Sequence, residues 1–375
     1  MSAAKLVAPD PFQGLVLPGA QDAARYRASL TALLAKTEAR EGSGIFSSPA
    51  PESIESRTDN ATGLGLNSDI ASARFGVALS GGPDSVALLL LAAAATPGQV
   101  EAATVDHRLR PEARAEALWC AELCAKLAIP HSILTVERVI EGNIQSGARA
   151  ARYALLQEWR AARWLDWLLT AHHADDQAET LLMRLNRGAG VSGLAGVRTR
   201  NGTVLRPLLG WRRAELQAIV DQAGLVACDD PSNRNRAYDR VRMRQAIAAS
   251  DWIDVASLSN ASNHLSDAET ALSWTARQLE NKYVVRHGSD DGAAILLNAP
   301  LAELPHELAR RLLARALAAA DPAIAPRGDA LDRLLESMIA RQKAMIGNLL
   351  VTPETPAPHW RIYPAPPRAS SKDAR

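Results

Sequence analysis

The chain has 375 residues, 47% hydrophobic and 22% charged, which fits an ordinary globular protein of two or three domains and excludes disordered, collagen-like and fibrous classes for its bulk. The longest uninterrupted apolar run, Val86 to Ala95, is about half of the roughly 20 residues a membrane span needs, so no membrane partner is expected. An N-terminus without a signal-type apolar segment and only three cysteines (Cys120, Cys124, Cys228) point to a cytoplasmic location, and 42 basic against 41 acidic side chains leave any nucleic-acid affinity to local clustering.

Tyr26, Leu30, Leu33 and Leu34 share one face of a helix predicted over 22–36. From Glu41 to Ile70 twelve of thirty residues are Ser, Gly or Pro, so 1–70 reads as an N-terminal helix plus a flexible linker. An α/β domain is expected over 71–247. Its segments 75–80 and 102–107 read as buried strands on either side of an Ala/Leu helix over 85–95, which makes a βαβ unit. A helix over 112–127, a strand over 131–136, a helix over 147–163, a strand over 166–172 and a helix over 175–187 follow. Buried strands joined by such helices predict a doubly wound parallel sheet, whose ligands bind beyond the carboxyl ends of the strands. A Gly- and Arg-rich stretch after Gly188 leads to a short strand near Val204 and a helix over 213–223. Residues 248–375 are expected to be mainly helical, most clearly at 307–320, with an irregular Pro-rich tail from Pro353 to Pro367.

The segment Ser80-Gly81-Gly82-Pro83-Asp84-Ser85 lies between a predicted strand and a predicted helix. Its glycines allow a tight turn and close backbone approach, and the helix start offers N–H groups and a positive dipole end to a phosphate. It lacks the Gly-Lys-Ser/Thr ending of a Walker A loop. Asp84 beside a phosphate calls for a bridging cation, which makes it the candidate Mg2+ ligand; the competing reading is an ordinary capped turn. In His172-His173-Ala174-Asp175-Asp176-Gln177-Ala178-Glu179 the carboxylates and histidines could form a metal or general-base cluster, or Asp175 or Asp176 could simply cap a helix. Asp106 and His107 end the second strand, near the loop in a doubly wound sheet, where they could meet adenine or ribose or merely cap the strand.

These motifs, with Val105-Asp106-His107-Arg108-Leu109-Arg110, the Gly147 to Tyr153 segment, Arg187-Gly188-Ala189-Gly190 and Asp230-Pro231-Ser232-Asn233, appear in collinear order from Phe75 to Arg244. The chain thereby resembles the tRNA(Ile)-lysidine synthetase family of N-type ATP pyrophosphatases. The resemblance implies an adenine nucleotide α-hydrolase-like, Rossmann-like fold. It implies ATP and Mg2+ as cofactors, and L-lysine and a CAU-anticodon tRNA(Ile) as partners, with homodimerisation left open. The implied reaction ligates lysine to C2 of the wobble cytidine through an adenylated tRNA, releasing AMP and diphosphate. Ser80, Gly81, Gly82, Pro83, Asp84, Ser85, Asp106 and His107 are implied to bind ATP. Asp84, Arg149, His172, His173, Asp175 and Asp176 are implied to be catalytic. Arg187, Asn233, Arg240, Arg242 and Arg244 are implied to bind tRNA.

The segment from Arg184 to Arg244 carries twelve arginines, no lysine and five acids, a local basic surface able to grip phosphates or stack on bases. Two other readings compete with lysine ligation, a tRNA 2-thiocytidine-type thiolase and a non-catalytic tRNA-binding module. A thiolase would use its cysteines for a cluster or persulfide, whereas the C-x3-C spacing of Cys120 and Cys124 on a helix suits burial.

Overall fold

The computed structural model describes residues 11–41, 69–108, 112–136, 144–228, 235–289, 292–326 and 328–365. Almost all of the predicted linker, and Asp230 to Asn233, fall outside them. The chain divides into two compact units, residues 1–266 and 267–375.

The first unit contains α1 (Ala20–Glu41), β1 (Phe75–Ala78), α2 (Pro83–Ala95), β2 (Val100–Asp106), α3 (Glu112–Lys126), β3 (His131–Thr135), α4 (Ile144–Ala162) and β4 (Trp167–Leu169). It continues with α5 (Ala174–Leu185), α6 (Val191–Leu194), β5 (Arg200–Asn201), β6 (Val204–Leu205), α7 (Arg213–Gln222), α8 (Asp239–Ala248) and the start of α9 (Val255–Tyr283). The strands form one sheet in the order β3-β2-β1-β4-β6-β5, parallel except where β5 pairs antiparallel with β6. The chain starts in the middle at β1, works outward to β3 and returns to β4 on the other side of β1. That reversal opens a crevice at the carboxyl ends of β1 and β4.

The apolar run within α2 has a direct cause. Leu88, Leu89, Leu90 and Leu91 are all completely buried, and a helix that is apolar all round must be covered all round. The sheet covers one side. On the other, Tyr26, Leu30, Leu33 and Leu34 of α1 and Leu216, Ile219 and Val220 of α7 join the same core. The predicted face of α1 is the one buried, at about 1.5–3 kcal/mol for each large side chain. Helix α1 is thus built into the α/β unit; the ordered domain does not begin at residue 71.

The second unit holds the rest of α9, β7 (Val284–Ser289), β8 (Gly292–Leu297), α10 (His306–Ala320), α11 (Gly328–Ile339), β9 (Ala344–Ile346), β10 (Leu349–Pro353) and β11 (Trp360–Pro364). The expected helices are present. The antiparallel sheet, in the order β7-β8-β11-β10-β9, was not expected, and the tail read as irregular supplies its strand β11. Trp360 and Ile362 are buried while Arg361 and Tyr363 are more exposed, a period of two that is short and lies among prolines.

Candidate active site at the switch point

From β1 the chain runs through Leu79, Ser80 and Gly81 to Gly82, the N-cap of α2, with Pro83 in the first turn. Gly81 has φ +84°, and a Cβ there would lie 3.1 Å from the Cys228 sulfur and 3.3 Å from that of Cys120. Only glycine fits this turn without strain. The Gly81 carbonyl accepts from the Cys228 N–H at 3.0 Å. The Ser85 hydroxyl accepts from the Ser80 N–H and hydroxyl, both at 3.1 Å, and donates to the Gly82 carbonyl at 2.9 Å. Its bonding capacity is spent on the loop's shape. Ser80, Gly82, Pro83 and Asp84 line the open crevice, a cavity of about 1120 Å³.

Asp84 faces the corner that follows β4. His173 is 1% exposed, with Nε2 3.4 Å from Asp84 Oδ2 and 3.7 Å from Asp176 Oδ2, and Nδ1 3.7 Å from Asp175 Oδ2. Neither ring nitrogen makes a well-directed hydrogen bond, but Nε2 lies close enough to Asp84 for a weak, charge-assisted one. Burial disfavours charge on the ring, yet Asp84, Asp176 and Asp175 together raise its pKa above the usual histidine value. Burial would likewise lift the Asp84 carboxyl, but His173, Arg213 and Arg244 hold it below its usual range. Asp84 Oδ1 is buried without a partner.

The remaining carboxylates are claimed by arginines. Asp175 accepts from Arg212 Nε at 3.2 Å and from the Arg213 N–H at 2.8 Å. Asp176 meets Arg240 Nη2 at 2.7 Å and accepts from the His173 N–H at 3.1 Å, capping α5. Glu179, with its side chain 2% exposed, takes Arg240 Nε and Arg244 Nε, each at 2.7 Å. Arg240 and Arg244, one helical turn apart on α8, therefore face α5. Arg242 points elsewhere, shares Asp239 with Arg187, and like Arg187 is well exposed.

The α4 side of the crevice is cationic. Arg149 and Arg152 on α4 flank the Tyr153 ring at 5.0 and 5.6 Å and line the crevice with His107 and His172. His172 Nδ1 lies 3.1 Å from Thr170 Oγ1. Its pKa is well below the usual value because it is buried and surrounded by Arg206, Arg149, Arg240 and Arg152. His107 is lowered by burial and by Arg152. Asp106 is buried and accepts from the Arg108 N–H at 2.9 Å, capping the strand end.

The fold thus brings Ser80, Gly82, Pro83, Asp84, Ser85, His107, Arg149, His172, Asp176, Arg187, Arg240 and Arg244 to one crevice. It sets Gly81, His173 and Asp175 behind that surface and Asp106 at the strand end, and Asn233 lies outside the described residues. Arg212 and Arg213 did not stand out in the sequence. They open α7, remote in the chain, and only the sheet brings them to Asp175 and Asp84, where Arg213 Nη2 is 3.9 Å from Oδ2. Cys120 and Cys124 are buried, their thiols pushed up to about 12 by burial. Among the described residues no three His, Cys, Asp or Glu side chains form a group able to hold a metal ion, and no helix is long and apolar enough to cross a membrane.

The chain is similar to known proteins. The PP-loop domain family matches residues 56–250. The chain is 40% identical over 323 residues to a tRNA(Ile)-lysidine synthase of Zymomonas mobilis, covering 84% of this chain and 95% of that protein. It is 40% identical over 308 residues to the tRNA(Ile)-lysidine synthase of Novosphingobium aromaticivorans, covering 80% and 92% respectively. Among solved structures, the U34-tRNA thiolase NcsA of Methanococcus maripaludis aligns at 16% identity with a TM-score of 0.46, over 54% of this chain and 75% of that one.

Proposed function

The chain belongs to the tRNA(Ile)-lysidine synthase family of PP-loop, ATP-using ligases, and from that premise we propose how its crevice joins L-lysine to the wobble cytidine of a CAU-anticodon tRNA(Ile). The cytidine C2 oxygen is a poor leaving group, so it first attacks the α-phosphorus of ATP and expels diphosphate. The ε-nitrogen of lysine then attacks C2, AMP departs and the amine gives up a proton. The product is lysidine. ATP and free lysine are drawn from the cytoplasm.

The observation that carries this reading is the buried, unpartnered Oδ1 of Asp84 at the N-terminus of α2. A carboxylate beside a phosphate site fits a hard cation shared with the phosphates, and Mg2+ is commonly held by one or two carboxylates plus substrate oxygens. Asp84 would hold it, and the ion when bound would neutralise charge on the departing diphosphate. The Gly82 and Asp84 N–H groups at the start of α2 receive the phosphates, Ser80, Ser85 and Gly81 hold the loop in shape, and Pro83 presets the helix start. His107 borders the nucleotide and Asp106 fixes the strand end beneath it.

Arg149 takes the charge developing on the α-phosphate, with Arg152 at its side. His172, held by Thr170 at the crevice wall, positions the incoming lysine, whose ammonium of pKa about 10.4 must lose a proton before it attacks. His173 and Asp175 act through Asp84 and Arg213, orienting them without touching substrate, and Asp176 anchors Arg240. The exposed Arg187 and Arg242 face tRNA, with Asn233 assigned there by the family resemblance. Arg240 and Arg244 contribute from the crevice rim.

Exchange of labelled diphosphate into ATP, started by tRNA and titrated with Mg2+, tests the reading. Exchange that requires both tRNA and Mg2+ supports it; Asp84→Asn with wild-type exchange overturns the metal assignment.

A further inference from the structure

Helix α1 lies outside the residues that match the PP-loop domain, yet a chain of polar contacts runs from it to Asp84. Arg25 makes three contacts with the Gly210 to Glu215 segment. Its Nη1 meets Glu215 Oε1 at 2.6 Å, its Nη2 donates to the Gly210 carbonyl at 2.8 Å, and its guanidinium lies 3.8 Å from the centre of the Trp211 ring. Glu215 in turn accepts from the Arg212 N–H at 2.7 Å.

This turn is bolted to the corner after β4. The Trp211 carbonyl accepts from the Ala174 N–H at 2.9 Å, and Arg212 and Arg213 hold Asp175 as described above. From the same corner His173 faces Asp84, and from the same turn the Arg213 side chain reaches it. Arg25 therefore grips the same turn whose Arg213 reaches Asp84. Lysine at this position could keep the ion pair with Glu215, but its point charge cannot reproduce a planar fork that also stacks on an indole.

We propose that Arg25 is a positioning residue for adenylation: by clamping the Gly210 to Arg213 turn it sets Arg213 and the His173 to Asp175 corner relative to Asp84. The inference rests on the assignment of Asp84 to the reaction. Small displacements of oriented groups cost large factors in rate, whereas a half-exposed ion pair contributes little to stability.

The test is Arg25→Ala in the full chain, assayed by tRNA-dependent ATP–diphosphate exchange beside calorimetry. The expected result is a kcat about tenfold lower, an unchanged KM for tRNA, and a melting midpoint within a few degrees of wild type. Arg25→Lys should recover only part of kcat. Wild-type kcat in Arg25→Ala overturns the proposal. So does a loss that disappears when both proteins are assayed equally far below their melting midpoints, because that marks a purely structural role. Asp84→Asn is run alongside: a silent Asp84→Asn removes the reading of the site itself, while a dead Asp84→Asn with a normal Arg25→Ala removes only this inference.

Discussion

The two walls of the crevice carry opposite fields, and two adjacent histidines report them. His173 is surrounded by Asp84, Asp175 and Asp176 and its pKa is raised; His172 sits among four arginines and its pKa is lowered. Desolvation lowers the pKa of both rings, buried His173 and half-buried His172 alike, so it does not separate them. The neighbouring charges do. One wall holds carboxylates already matched to arginines, with a single Asp84 oxygen left over, and the other holds guanidinium groups around a neutral imidazole. In the proposed reading a triphosphate with its bound cation would lie between these walls, its diphosphate end on the loop and its α-phosphate near the arginines.

The largest expected effect breaks the acidic wall. Asp84→Asn keeps the size of the side chain and removes its charge, and should lower adenylation by about 10²-fold or more with the fold intact; exchange kinetics and circular dichroism check both halves. Breaking the cationic wall with Arg149→Ala should lower kcat for adenylation by roughly 10- to 100-fold while tRNA binding, followed by filter retention, stays within about twofold.

The arginines of α8 divide between structural and exposed positions. Arg240→Ala leaves Asp176 without that partner and Glu179 with Arg244 alone, so urea unfolding should show a loss of roughly 1–3 kcal/mol. Arg242→Ala should cost less than about 0.5 kcal/mol, as at an ordinary surface site. If Arg242 faces tRNA as proposed, the slope of log affinity against log salt should fall by about 0.7–0.9 in this variant. Equal stability losses in the two variants would mean that α8 does not face α5 with Arg240.

A smaller effect separates the histidines by pH. A raised His173 stabilises the fold below the ordinary histidine pKa, and this is lost as pH climbs from there through its raised value. The depressed His172 works in reverse: its contribution is present above the ordinary value and is lost as pH falls below it. Unfolding free energy measured against pH should therefore decline less on the alkaline side in His173→Gln and less just below the ordinary histidine pKa in His172→Gln, while His107, His131 and the lowered carboxylates keep the rest of the acid decline. The smallest effect is expected from joint Cys120→Ala, Cys124→Ala and Cys228→Ala substitution, which should keep lysine ligation within a few-fold of wild type. Loss of product, or thiolated cytidine formed when sulfide is supplied, would revive the thiolase reading.

Local features of the chain were legible before folding. The buried face of α1 showed in Tyr26, Leu30, Leu33 and Leu34, and the loop in Ser80 to Ser85, because helical period and glycine punctuation are local signals. Pairings across distance were not. Arg240 and Arg244 looked like an open basic surface, since nothing in a run of arginines reveals that Glu179, 61 positions from Arg240, takes both. Arg212, Arg213 and Arg25 were silent for the same reason. In the second unit the strands run from three to six residues, so the Ala/Leu helices around them set the apparent period.

The most direct test of the account is a single reaction containing the full chain, ATP, Mg2+, labelled lysine and a CAU-anticodon tRNA(Ile) transcript, followed by nucleoside mass spectrometry. The expected result is lysine bound at the wobble cytidine, with AMP and diphosphate released in equal amount, and no product from Asp84→Asn. Diphosphate release without lysine in the tRNA, or lysine ligation undiminished in Asp84→Asn, would contradict it.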